Sequence, residues 1–219
     1  MMFVSGKMSA RLVILMFAIL LIMPGCNDDK DPVVVPVPDV GPETPDELMT
    51  RFKDAYSAMD PDKYLALLDQ DFLTILSTRT IEDFPDVGTT LDFGEEEQIH
   101  QRMFSGEPVT DPLGNFIPAV ETIEFVVFKS LDPWARVGEG DRFPGTVWAP
   151  FEVELIFDRG QDYAALKLSG MVKIHARSHE VMVNSKKFTY YLMAGMTDLT
   201  YSGKGVEDIP WGTVKATYR

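Results

Sequence analysis

The chain has 219 residues, 34 acidic against 20 basic side chains, a formal charge of −14, and 45% hydrophobic residues that include 14 Phe. That charge balance opposes binding to nucleic acid or to anionic surfaces, and a single cysteine excludes an internal disulfide. No D-x-D-x-D-G loop, H-E-x-x-H run or Cys/His cluster is present, so neither a metal site nor a cofactor is expected.

Residues 1–26 read as an export signal. Lys7 and Arg11 form a basic start with no acidic residue, and Leu12 to Met23 is an unbroken apolar run. The run is too short to span a bilayer, which takes about 20 apolar residues, but it suits a signal-peptide core. Met23-Pro24-Gly25-Cys26 then resembles the bacterial lipobox, with Gly25 as the small residue before the only cysteine. The resemblance implies cleavage before Cys26 and acylation of its thiol and new amino terminus; the alternative is an ordinary secretory signal or an uncleaved anchor. Two or more acyl chains give stable anchoring. Loss of Lys7 and Arg11 would leave the remaining chain more acidic still. By the same resemblance, Asn27 rather than Asp after the cysteine implies an outer-membrane lipoprotein facing the periplasm of a bacterial cell envelope.

The segment from Asn27 to Pro45 reads as a tether. Pro32, Pro36, Pro38, Pro42 and Pro45 deny it a helix. At about 3.1 Å per residue in polyproline II it would reach roughly 50 Å. Val33, Val34 and Val35 could alternatively add an edge strand. The expected organisation is a signal peptide over 1–25, a lipidated Cys26 and tether over 26–43, and one domain over 44–219.

The domain opens on strong helix signals. Thr44-Pro45-Asp46-Glu47 has the form of a capping box with proline in the first helical position, and Leu48, Phe52, Ala55, Tyr56 and Met59 follow at helical spacing. Asp60-Pro61 starts a second helix carrying Tyr64, Leu65, Leu67 and Leu68, which Asp69-Gln70-Asp71 ends. Phe72 to Leu76 reads as a short strand, 78–92 as a loop, and a third helix begins near Gly94, with Glu95, Glu96 and Glu97 favoured in its first turn.

Beyond Gly106 the pattern becomes that of strands. Thr122 to Leu131 is rich in Val, Ile and Phe. Phe151, Val153, Leu155 and Phe157 alternate with acidic residues. After a turn at 159–162, Leu166, Leu168, Val172, Ile174 and Ala176 share one face, and Lys167, Lys173, His175 and Arg177 the other, which places His175 outside. Gly170 suggests a bulge or a bend. Lys187 to Ala194 and Pro210 to Tyr218 read as the last two strands.

Helices followed by long antiparallel strands make an α+β order: three N-terminal helices packed in the concavity of a strongly curved, mostly antiparallel sheet, a cystatin-like cone. At AYSAMDPDKYLALLDQDF, FGEEEQIHQRMF, VMVNSKKFTYYLM and WGTVKATYR the chain resembles the nuclear-transport-factor-2-like, or SnoaL-like, superfamily, over about residues 44–219. More narrowly it resembles bacterial lipoproteins carrying one such domain on a Pro-rich tether. The superfamily includes binding modules and enzymes of the isomerase, dehydratase and cyclase type. The enzymes need an Asp or His in the cone beside a donor such as Tyr.

Here Asp71 and His100 are the weak catalytic candidates. Asp71 either points into the cone mouth or serves as a turn residue; His100 is expected to be solvated or half-buried. Tyr56, Tyr64, Met103, Phe104 and Trp134 are the pocket-lining candidates, although tyrosines at helical spacing are more often plain core. His175 and His179 would lie about 13 Å apart on one strand face, too far to share a metal. Apolar residues outnumber candidate acids and bases, so the expectation is a membrane-anchored module that binds a small apolar ligand or a protein partner without catalysis. An isomerase, dehydratase or cyclase-type enzyme is the alternative, and a homodimer through charged strand faces is a further possibility.

Overall fold

A computed structural model describes residues 40–111, 114–199 and 209–219. The export signal, Cys26 and the tether to residue 39 lie outside the described residues. In chain order the elements begin with α1 (Pro45–Ser57), α2 (Pro61–Leu65), β1 (Leu68–Ile75), α3 (Thr78–Asp83), a single 3-10 turn at Pro85–Val87, β2 (Thr90–Asp92) and α4 (Phe93–Met103). They continue with β3 (Val109–Thr110), β4 (Phe116–Ile117), β5 (Thr122–Ser130), β6 (Ala135–Arg136), β7 (Thr146–Asp158), β8 (Leu166–Val183), β9 (Lys186–Asp198) and α5 (Trp211–Thr217).

The helix starts follow the sequence chemistry. Thr44 Oγ1 accepts from Glu47 N at 3.1 Å, and Asp60 Oδ1 from Lys63 N at 3.0 Å. Asp92 and Glu95 form a full reciprocal capping box on α4. The main sheet runs β2-β1-β9-β8-β7-β5, with β6 on β7, and every pairing is antiparallel except β1 with β9. Irregular pairings at Leu68/Leu73, Phe125/Val127 and His175/Ala176 break the ladders; such breaks bend strands and increase twist. Leu48, Phe52, Tyr56, Tyr64, Ile99 and Met103 from the helices share one core with Val153, Leu155, Ile174 and Met196 from the strands. The result is the α+β cone expected from the sequence.

Five local expectations are corrected. Asp69-Gln70-Asp71 does not end α2 but lies within β1, because Leu68 and Phe72 are both buried and the strand starts at Leu68. The presumed loop at 78–92 holds α3, capped by Ser77, and β2 paired to β1. Pro210 to Tyr218 is a helix, not a strand: Trp211, Val214, Lys215 and Tyr218 repeat at i, i+3, i+4 and i+7, and all are buried. Gly170 pairs regularly with Val153. His175 does face outward from β8, yet it is buried, because the 137–145 segment folds back and lays Phe143 over it with ring centres 4.4 Å apart. Gly195 makes room for that ring, since a Cβ there would stand 2.1 Å from Phe143 Cε1.

Candidate functional site

Two places compete for the role of a site. One is the interior of the cone and the other an open cleft beside α1 and α2.

The interior holds a polar network. On α4, Glu96, Ile99, His100 and Met103 form one buried stripe. His100 Nδ1 donates to the Glu96 carbonyl at 2.8 Å, so Nε2 is left to accept from the Tyr56 hydroxyl at 2.5 Å. Tyr64 stacks on the imidazole at 3.9 Å between ring centres and donates its hydroxyl to Glu96 Oε2 at 3.1 Å. Glu96 Oε1 accepts from Thr74 on β1 at 2.5 Å and from Lys215 on α5 at 2.5 Å. The Lys215 ammonium also donates to Thr74 Oγ1 at 3.1 Å.

The electrostatics follow from burial. Burial pushes His100 down to about 4, the Lys215 charge adding to the effect and Glu96 opposing it, so the imidazole is neutral at pH 7. Burial and the Glu96 charge raise Tyr56 and Tyr64 well above ordinary phenol values, leaving both as hydrogen-bond donors. Burial works against the Glu96 carboxylate, but Lys215, His100 and the Thr74 hydroxyl outweigh it and hold its pKa below the usual range. Burial likewise lowers Lys215, against the pull of Glu96 and Asp198.

A phenol, an imidazole and a carboxylate in contact are the groups acid–base chemistry uses. Here their polar atoms bond to one another. Tyr56, Tyr64, Thr74, Glu96, His100 and Lys215 are each at most 1% exposed, and no buried side-chain polar atom among the described residues lacks a partner. Phe52, Phe104 and Trp211 pack around Tyr56 with ring centres 4.9, 5.0 and 5.4 Å away. The interior is therefore sealed in this conformation.

The sequence-derived candidates separate accordingly. Tyr56, Tyr64, Met103 and Phe104 come together inside the cone, as core rather than as the wall of an open pocket. His100 joins them fully buried, not solvated, because Tyr56 on α1 and Tyr64 on α2 pack against its imidazole. Asp71 lies elsewhere. It is exposed on the outer face of β1 and accepts from Arg177 at 2.7 Å, so it does not point into the cone mouth. Trp134 sits outside the network, half-buried, donating to Asp46 at 2.8 Å and packing on Phe151. His175 and His179 have separate partners, Thr146 and Asp69, and no metal-ligating cluster occurs among the described residues. Sequence reasoning missed Glu96 and Lys215. The available signal was a single charge, of opposite sign in each case, inside an otherwise apolar helical stripe.

The second place is a cleft of about 700 Å³ beside α1, α2 and β9. Ala55, Ala58, Ala66, Leu67 and Leu192 line it, together with Val40 to Pro42 and Tyr190. Small side chains on the helices leave the space. The Pro42 carbonyl accepts from Tyr191 N at 2.8 Å, and Gly41 packs on the Tyr190 ring, where a Cβ would come within 3.1 Å. Arg51, Asp54 and Lys63 supply charge to the lining, Arg51 paired to Glu47 and Lys63 to Asp60.

Helices leading into a bent antiparallel sheet, with α1, α2 and α4 against its inner face, set the architecture. The fold is an α+β cone, similar to that of nuclear-transport-factor-2-like proteins. No protein-family model matches the chain, and no curated protein is similar to it in sequence. Solved structures similar to it include a nuclear-transport-factor-2-like superfamily protein from Salmonella enterica, at 12% identity over 74% of this chain and 92% of that one, TM-score 0.43. Another is a candidate beta subunit of an aromatic-ring-hydroxylating dioxygenase from Novosphingobium aromaticivorans, at 10% identity over 80% and 94%, TM-score 0.45. A third is a candidate polyketide cyclase from Pseudomonas putida, at 14% identity over 72% and 90%, TM-score 0.37.

Proposed function

We propose that this protein is a lipid-anchored lipoprotein of the bacterial cell envelope, held at the outer membrane through Cys26, whose cone domain binds a small apolar ligand without catalysis. The observation that carries the binding half is the contrast in access. The acid–base groups of the cone are sealed and mutually satisfied, whereas an open cleft lined mostly by apolar residues lies beside α1 and α2. Its volume falls within the range of about 300–1,000 Å³ common for small-molecule sites. The anchoring half rests on the basic start, the short apolar run and Gly25-Cys26.

Native mass spectrometry of the full chain, extracted from cell membranes in detergent, tests both halves. The expected spectrum shows a chain beginning at an acylated Cys26 and a retained non-covalent mass that disappears in an Ala58→Trp/Ala66→Trp variant. An unprocessed chain with a free thiol would overturn the anchor, and a bare mass would overturn the ligand. One observation favours an isomerase, dehydratase or cyclase-type enzyme instead: Tyr56, His100 and Glu96 lie in one hydrogen-bonded group inside the cone. A mass that survives the cleft-filling variant but is lost in His100→Leu would support that second reading.

A further inference from the structure

β5 ends the main sheet. It pairs with β7 on one side, and among the described residues nothing pairs with its other edge. Leu131 N donates to Pro150 O at 2.9 Å on the β7 side. The alternation of an antiparallel ladder then turns the N–H and C=O groups of Lys129 and Val127 towards β7, and those of Phe128 and Ser130 away from it. The irregular step between Phe125 and Val127 shifts the alternation by one residue, so Phe125 and Ile123 also turn theirs away. Val126 and Leu131, 48% and 42% exposed, lie along the same stretch of chain. Open backbone groups beside exposed apolar side chains form a template for a further strand.

The strand that fits this edge is a second copy of itself. A twofold axis makes every contact reciprocal. With the axis between Val126 and Val127, β5 runs antiparallel to its copy, and Phe125 stands opposite Phe128 and Ile123 opposite Ser130. Those four residues are the ones whose backbone groups point outward. The same register sets Glu124 opposite Lys129 on both sides of the axis. Both side chains are exposed on the outer face of the sheet, where Glu124 neighbours Ile156 and Lys129 neighbours Glu152. Among the described residues neither makes a side-chain hydrogen bond or an ion pair. A slip of one residue turns side chains to the wrong face, and a slip of two sets Glu124 opposite Val127 or Leu131 and loses both charge pairs.

We propose that β5 is a self-association edge, through which two copies of this chain join into one continuous antiparallel sheet, with Glu124 and Lys129 fixing the register. Opposite charges directly across a strand pair attract, and like charges there repel. The cleft lies beside β9, which β8 and β7 separate from β5, so the pairing does not depend on the anchor or on what the cleft binds.

The test reads the dimer fraction of the full chain, released from detergent in native mass spectrometry, over a series of concentrations. The unaltered chain should dimerise. Glu124→Lys sets like charges opposite each other at both crossings and should weaken the dimer by about 10-fold or more; Lys129→Glu should do the same. Both positions are exposed, so the variants should fold as the unaltered chain does. The double variant Glu124→Lys/Lys129→Glu exchanges the charges and should restore the dimer. Mixing the two single variants should restore it as well, because each then meets its opposite across the axis. A chain that stays monomeric at every concentration overturns the proposal. So does a dimer that the single variants leave unchanged, since it forms through another surface, and so does a loss that neither the exchange nor the mixing repairs.

Discussion

Two ionic clusters sit on opposite faces of β1. Phe72 and Thr74 face the cone, where Glu96 meets Lys215; Asp69 and Asp71 face outward, where both accept from Arg177 at 2.8 and 2.7 Å. His179 completes the outer group, 3.0 Å from Asp69 and stacked on Tyr190. The distances are alike, but the surroundings are not. The inner pair is 0–1% exposed, while in the outer group the Arg177 side chain is 25% exposed and that of Asp71 66%, only Asp69 being largely covered at 10%. Inside, each charge depends on its partner because water cannot reach it; outside, water offers a substitute. Removing one partner is therefore costly on the inner face and tolerated on the outer.

The widest separation between the clusters should come from single removals. Glu96→Ala leaves the Lys215 ammonium buried without its counter-charge, and the expected loss is about 3–5 kcal/mol in urea denaturation. Glu96→Leu combined with Lys215→Met removes both charges and should recover most of that loss. If the double variant is no better than the single one, the ion pair is not the reason for the loss.

Acid should weaken the inner cluster next. Folded His100 titrates at about 4 and an unfolded histidine at about 6.5. Between those values the unfolded chain binds the extra proton, so stability is complete above about pH 6.5 and falls as pH drops towards 4. The expected loss from His100 is on the order of 3 kcal/mol across that window. His175, lowered to about 4 by burial and by Lys173, acts in the same direction. His100→Gln should flatten the pH dependence of the denaturation midpoint while leaving the His175 share. An unchanged slope would mean that His100 does not titrate with unfolding.

The smallest effect belongs to the outer cluster. Arg177→Ala should lower stability by about 1 kcal/mol or less, and the difference from the unaltered chain should shrink further in high salt. A loss approaching that of Glu96→Ala would erase the distinction between the two faces.

Much of the fold was legible because local signals and burial agreed. Thr44, Asp60 and Asp92 cap the helices that their sequences announce, and the alternation from Phe151 to Phe157 matches the inward face of β7. The failures came where neighbours not adjacent in sequence intervened. His175 obeys the strand alternation and is buried all the same, because Phe143, 32 residues upstream, covers it. The C-terminal segment fits a strand by composition, but its buried residues follow helical spacing.

What the sequence determined by itself is an α+β domain with its caps, its strand faces and the helical spacing of Tyr56, Tyr64 and His100, since each depends on residues a few positions apart. What only the tertiary structure decided is which charges meet. Glu96 and Lys215 are 119 positions apart, and Asp71 and Arg177 are 106 apart. Their pairing depends on where α5 and β8 fall relative to β1. Whether such a pair is sealed or wet depends on the face of the sheet it occupies, and that face is fixed by packing rather than by either residue's own neighbours.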